Sequence, residues 1–88
     1  LHQNYPNPFN PTTSIPFDII KYDKVRLSIY NVKGEMVRTL VNSNLNPGSY
    51  EVRWNGRSDS GVNLSAGMYF IELKGTNFRE TNKMIYLK

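Results

Sequence analysis

Residues 24–30 alternate without a break: Val25, Leu27 and Ile29 are apolar, while Arg26, Ser28 and Tyr30 stand between them. A period of two puts the two sets on opposite faces of a β-strand, and it scatters them around a helix. The same period recurs with Ile15, Phe17 and Ile19, with Tyr50, Val52 and Trp54, and with Tyr69, Ile71 and Leu73. No segment carries the three-to-four-residue apolar repeat of a helix. A chain patterned this way must bury its apolar faces by stacking sheets.

Turn residues separate the runs. Asn31-Val32-Lys33-Gly34 predicts a hairpin loop with Gly34 in the left-handed conformation, and Pro47-Gly48 predicts a second turn. Asn55-Gly56 breaks the strand that ends at Trp54, and a polar loop follows through Gly61. Gly67 opens the next strand, and Gly75-Thr76-Asn77 turns it into the last, at 78–87. Pro16 has no N–H to give a ladder, so strand 13–19 is expected at an edge. Residues 35–41 alternate imperfectly, with Met36 and Leu40 on one parity and Val37 and Val41 on the other, which predicts a bulge. Residues 42–46 read as a polar connection, and Val62 and Leu64 as a short strand or a tuck onto the core. The sum is about seven short antiparallel strands, an immunoglobulin-like β-sandwich.

Eighty-eight residues suffice for one such domain, with stability on the order of 4–13 kcal/mol. No apolar run approaches the roughly 20 residues that span a bilayer as a helix, so no membrane-spanning segment is expected. Cysteine is absent, which excludes disulfides, thiolate nucleophiles and cysteine metal sites. The net charge is +4, but the bases are scattered along the chain. The tightest grouping, Lys21, Lys24 and Arg26, is diluted by Asp18 and Asp23. A solvated surface of mixed sign is expected rather than a nucleic-acid partner.

The opening segment has a different character. Asn4-Tyr5-Pro6-Asn7-Pro8-Phe9-Asn10-Pro11 places three prolines in six positions and predicts a stiff, extended strap over residues 1–12, ahead of a sandwich over 13–88. A plain linker rarely carries aromatics that need burial. Phe9, and with it Tyr5, is expected to pin the strap to the sandwich, whose largest apolar side chain is Trp54.

The run from Gln3 to Thr13, followed by Ile15, Phe17 and Ile19, closely resembles the opening of type A C-terminal sorting domains of the type IX secretion system. The resemblance continues through Leu27-Ser28-Ile29-Tyr30-Asn31-Val32-Lys33-Gly34, Pro47-Gly48-Ser49-Tyr50, Trp54-Asn55-Gly56, Ser60-Gly61 and Ala66-Gly67-Met68-Tyr69. It closes on Lys83-Met84-Ile85-Tyr86-Leu87-Lys88. Lys33 departs from it, standing where many members carry an apolar residue. The stretch from Trp54-Asn55-Gly56 to Gly67-Met68-Tyr69 is also similar, more distantly, to the Ig-like domain of flagellar hook-capping proteins.

The resemblance implies a Bacteroidetes-type sorting signal fused behind a cargo protein. Its partners would be an outer-membrane translocon or shuttle and a sortase-type cysteine peptidase. Its route would run through the periplasm to the cell surface or the medium. It also implies that Leu1 is an internal boundary of a longer protein and that Lys88 is its natural end. The six residues 83–88 are the expected recognition element, because strand 78–87 carries apolar residues on both faces and a thin sandwich has no third layer.

Catalysis is not expected, nor is any cofactor. His2, the sole histidine, lies in the tail without a nucleophile assigned to it. Asp18, Asp23, Glu51, Asp59, Glu72 and Glu80 read as outward or loop residues. Asn55, Asp59, Ser60 and Asn63 have an oxygen-rich composition that Asx-turn chemistry explains without calcium. The rival reading is an accessory carbohydrate-binding or structural module of a secreted polysaccharide-degrading enzyme, using Tyr22, Tyr30, Phe70 and Tyr86 as a platform.

Overall fold

The computed structural model describes all 88 residues. It contains six strands and no helix: β1 (Thr13–Ile19), β2 (Asp23–Tyr30), β3 (Met36–Leu45), β4 (Gly48–Trp54), β5 (Gly67–Lys74) and β6 (Arg79–Tyr86). All pairings between strands are antiparallel. β1 and β4 form one sheet, and β3-β2-β5-β6 form the other. The architecture is the expected Ig-like β-sandwich, with six strands for the expected count of about seven. The residues around Val62 and Leu64 make only an isolated bridge, Arg57 to Asn63, although Leu64 does pack on the core.

The period-two faces close on one another as expected. Ile15, Phe17 and Ile19 of β1 meet Val25, Leu27 and Ile29 of β2, with Ile71 and Leu73 of β5 beside them, in a single cluster of 13 buried residues. Burying each such side chain contributes about 1.5–3 kcal/mol as an upper estimate. β2 and β5 are the central strands, with Leu27 opposite Leu73 and Ile29 opposite Ile71.

β3 corrects the sequence reading in length. It runs on through Asn42, Ser43 and Asn44 to Leu45, and these pair with Arg26, Val25, Lys24 and Asp23. A ladder uses main-chain groups, so polar side chains do not end an edge strand that faces water. Its register shifts twice against β2, once beside Leu27/Ser28 and once beside Ile29/Tyr30. The expected bulge is therefore a pair of irregularities, which let Val37, Leu40 and Val41 all reach the core. The last strand is also shorter than read, because Phe78 folds back over Gly75 in the preceding turn.

Two tyrosines lock the strand entrances in the same way. Tyr50 Oη donates to the Asn46 carbonyl at 2.6 Å, and Tyr69 Oη donates to the Ser65 carbonyl at 2.6 Å. Each hydroxyl reaches back four residues across a Gly-x-Tyr turn, the tyrosine-corner device of Ig-like sandwiches. Burial raises the Tyr69 phenol above its usual pKa.

Candidate functional site

β6 lies at the edge of the four-stranded sheet, so one row of its N–H and C=O groups has no strand to pair with. The opening strap supplies the missing partners. Phe9 N–H donates to the Ile85 carbonyl at 3.0 Å, and Leu87 N–H donates to the Phe9 carbonyl at 2.9 Å, a parallel bridge centred on Phe9 and Tyr86. Asn7 Oδ1 accepts the Ile85 N–H at 2.9 Å. Gln3 Nε2 donates to the Lys83 carbonyl, and Asn82 Nδ2 donates to the His2 carbonyl, both at 3.2 Å.

The same strap closes the edge of the other sheet. Tyr5 and Ser14 exchange both main-chain hydrogen bonds at 2.8 Å, and His2 N–H donates to the Pro16 carbonyl at 3.0 Å. Pro16 thus sits at a sheet edge, accepting with the one main-chain group it has. Between the two contacts, buried Asn4 donates to Thr13 Oγ1 at 3.0 Å, and Thr13 donates to the Pro6 carbonyl at 2.8 Å. The strap is therefore not straight. It bends at Pro6–Pro8 and again at Asn10–Pro11, and the X-Pro bonds of Pro6, Pro8 and Pro11 are cis. Its path stitches β1 to β6.

The anchors divide as the contacts require. Phe9 is 1% exposed, stacked on Tyr86 at 4.9 Å and tilted against Trp54 at 5.6 Å. Tyr5, expected beside it as an anchor, is 77% exposed and is held by its backbone alone. Gly56 belongs to the same knot: at φ +75°, a Cβ there would lie 2.5 Å from Tyr86 Cζ. Trp54 Nε1 donates to the Arg57 carbonyl at 2.9 Å, which ties the loop after Gly56 onto the core. Of the other glycines in the turns, Gly34 and Gly61 have positive φ in open space, and Gly48 and Gly67 precede the tyrosine corners.

The burial of the terminal segment corrects its reading as one recognition surface. Met84 and Tyr86 are core residues, reached by no partner of the folded domain. Their alternation is that of any strand with one face inward, and Ile85 is half-covered rather than free. What remains outward is Lys83, Ile85, Leu87 and Lys88, with Leu87 at 48% exposed. Sequence reasoning placed the strap and this strand apart. The part of Asn7 in joining them had no signal beyond its place between prolines.

The other candidates disperse. Tyr22 is exposed on the β1–β2 turn, Tyr86 is buried, and only Tyr30 and Phe70 are neighbours, in register on the outer face of the large sheet. The loop oxygens hold the loop and tie it to β3: Asn55 Oδ1 accepts the Arg57 N–H at 3.2 Å, and Asp59 Oδ1 accepts the Thr39 N–H at 3.0 Å. His2 Nε2 lies 2.6 Å from Asp18 Oδ2, while Ser49 Oγ donates to Asp18 Oδ1 at 2.7 Å. The carboxylate stands in the middle of that chain. Imidazole and serine hydroxyl are each bonded to the carboxylate, whereas a nucleophilic mechanism would have the imidazole bonded to the hydroxyl. These bonds, Ser49 first, hold the Asp18 carboxyl below its usual pKa.

Comparisons with known proteins agree with this architecture. The model of the FlgD Ig-like domain matches residues 15–78. No curated protein matches the chain. Two solved structures from Porphyromonas gingivalis share the fold. One is PorZ, an essential bacterial surface component of the type IX secretion system, with a TM-score of 0.68 at 17% identity over 98% of this chain and 11% of that one. The other is latent dimeric PorU, with a TM-score of 0.70 at 21% identity over 97% of this chain and 9% of that one. The chain spans about a tenth of either protein, and at these identities the likeness is one of fold.

Proposed function

The chain belongs to the FlgD Ig-like domain family, and from that premise we propose that it is a folded sorting module that directs an attached cargo through a type IX secretion system. The reading draws support from the fold shared with part of PorZ and part of PorU, and from the resemblance of the Gln3–Thr13 and 83–88 motifs to type A sorting domains. Its partners are an outer-membrane translocon or shuttle, a sortase-type cysteine peptidase and the cargo itself. Its path is through the periplasm to the cell surface or beyond. It works by being bound, without catalysis or a cofactor.

One observation carries the mechanism: β6 anchors Met84 and Tyr86 in the core and turns Lys83, Ile85 and Leu87 outward along a sheet edge. The buried pair fixes the register in which the outward set is displayed. A receptor then reads side chains whose spacing the fold holds rigid, and little ordering entropy is lost on binding.

Deleting 83–88 outright would remove two core residues and so confuse misfolding with loss of signal. The informative test fuses residues 1–88 to a reporter in a type IX-competent host and compares a Lys83→Ser, Ile85→Ser, Leu87→Ser variant with the parent. The variant is expected to keep its thermal midpoint within a few degrees and to lose most export. Export at parental efficiency from a folded triple variant would take this edge out of the mechanism.

A further inference from the structure

Five of the eleven basic residues that look scattered along the sequence are gathered by the fold. On the outer face of the four-stranded sheet, opposite the core, stand Lys24, Arg26, Lys74, Arg79 and Lys83 against a single carboxylate, Glu72. The excess of four equals the net charge of the whole chain.

Their register is more unusual than their number. Arg26 pairs directly with Lys74, and Lys74 pairs directly with Arg79, so three cations stand in line across three adjacent strands. At a strand spacing of about 4.8 Å the row spans roughly 10 Å. Like charges directly opposite one another destabilise a sheet. Relief inside the molecule is limited to Glu72, whose Oε2 lies 3.6 Å from Arg79 Nε, and to the Tyr30 hydroxyl, which the Arg26 charge reaches and which donates to Glu72 Oε1 at 3.3 Å. Arg26 and Lys74 have no acidic partner within 4.0 Å, and neither does Lys24. Arg26 Nε and Ser28 Oγ are both buried without a hydrogen-bond partner, although buried polar atoms are nearly always paired. A groove of about 400 Å³ runs beside the row, lined by Lys24, Arg26, Asn42, Lys74, Gly75 and Thr76.

A local rule broken this plainly, with unpaired donors and an adjoining groove, marks a site for an external anion. We infer that the Arg26–Lys74–Arg79 row, with Lys24, binds a phosphate group. The ligand must carry more than one charge in a compact volume to discharge three cations carried on adjacent strands about 5 Å apart. A phosphate ester carries about −1.5 to −2 at neutral pH and presents several acceptor oxygens to guanidinium forks and ammonium points. An acidic polypeptide fits less well, because Arg26 and Lys74 stand on the central strands β2 and β5, whose main-chain groups are engaged in ladders on both sides and offer it no strand to extend. On the same face Met36, Tyr30 and Phe70 stand in register, with Met68 and Ile85 in the adjoining row. This apolar band would take the organic part of an ester, whether a soluble one or a lipid headgroup. The phosphate row itself, Arg26–Lys74–Arg79 with Lys24, shares no residue with the sorting edge and does not depend on that reading, although Lys83 and Ile85 at its margin belong to both surfaces.

The test uses the intact 88-residue chain and its Lys74→Gln variant at low ionic strength. Inorganic pyrophosphate is expected to move the amide resonances of residues 24, 26, 74 and 79. The variant is expected to bind it at least about tenfold more weakly. Without ligand, the variant should melt a few degrees higher than the parent, because a like-charge row has been interrupted. That pairing of gained stability with lost binding distinguishes a ligand site from a structural role, which would lower the midpoint. Cosedimentation with vesicles containing phosphatidic acid, but not with pure phosphatidylcholine, would assign the phosphate to a lipid. Saturation by soluble phosphate esters with no cosedimentation would assign it to a soluble ligand. The inference is overturned if pyrophosphate and phosphatidic acid both leave these resonances unmoved, if the variant binds as tightly as the parent, or if only polyglutamate binds.

Discussion

Phe9 and Tyr86 meet twice, once through rings stacked 4.9 Å apart at an interplanar angle of 11°, and once through a parallel main-chain bridge. The first contact belongs to the core and the second to the sheet edge, so the opening strap is part of the fold rather than an appendage. Removing the Phe9 ring should therefore act globally. Phe9→Ala is expected to cost about 3–5 kcal/mol, since it opens a cavity against Trp54 and Tyr86 at a fully buried site. Urea unfolding followed by Trp54 fluorescence measures it. A cost below about 1 kcal/mol would show that the strap is only loosely attached.

Gly56 and Gly34 share a left-handed backbone, at φ +75° and +82°, but differ in their surroundings. A Cβ at Gly34 meets nothing within 4 Å, whereas one at Gly56 runs into the Tyr86 ring. Gly34→Ala should cost about 1–2 kcal/mol, the backbone penalty alone. Gly56→Ala should cost about 1–3 kcal/mol more, because the stacked ring must shift. Thermal melts of the two variants side by side separate the two contributions, and equal midpoints would contradict the close packing.

Asp23 holds the β5–β6 turn, accepting from Thr76 Oγ1 at 2.6 Å and Thr76 N–H at 3.0 Å. Those bonds, the hydroxyl first, lower its pKa from the ordinary 3.8. A carboxyl depressed in the folded state contributes stability that is complete above the unfolded pKa and is lost as pH falls through the folded one. The midpoint should hence be level above about pH 5 and decline below about pH 4. Asp23→Asn should start lower and decline less steeply. Identical slopes for parent and variant would show that Asp23 takes no part in acid sensitivity.

The two tyrosine corners offer a paired test of burial. Tyr69→Phe leaves the Ser65 carbonyl without its donor beside a buried ring and should cost about 1–2 kcal/mol. Tyr50 is half-exposed, so water can replace its hydroxyl at Asn46, and Tyr50→Phe should cost under about 1 kcal/mol. Chemical denaturation gives both values, and the reversed order would break the link to burial.

The period-two pattern in 24–30 and 68–74, read alone, was enough to place β2 and β5 and their inward faces, because alternation is a local property of extended chain. An aromatic among prolines marked Phe9 for burial on the same local grounds. What the sequence could not carry were relations between distant segments. Met84 and Tyr86 look as available as Ile85 and Leu87 until β5 and the strap close around β6 and assign each pair its side. Asn42–Asn44 looked like a loop because ladder hydrogen bonding is blind to side-chain polarity. Arg26, Lys74 and Arg79 became a row only through register, which sums contacts over the whole core and has no signature at any one position.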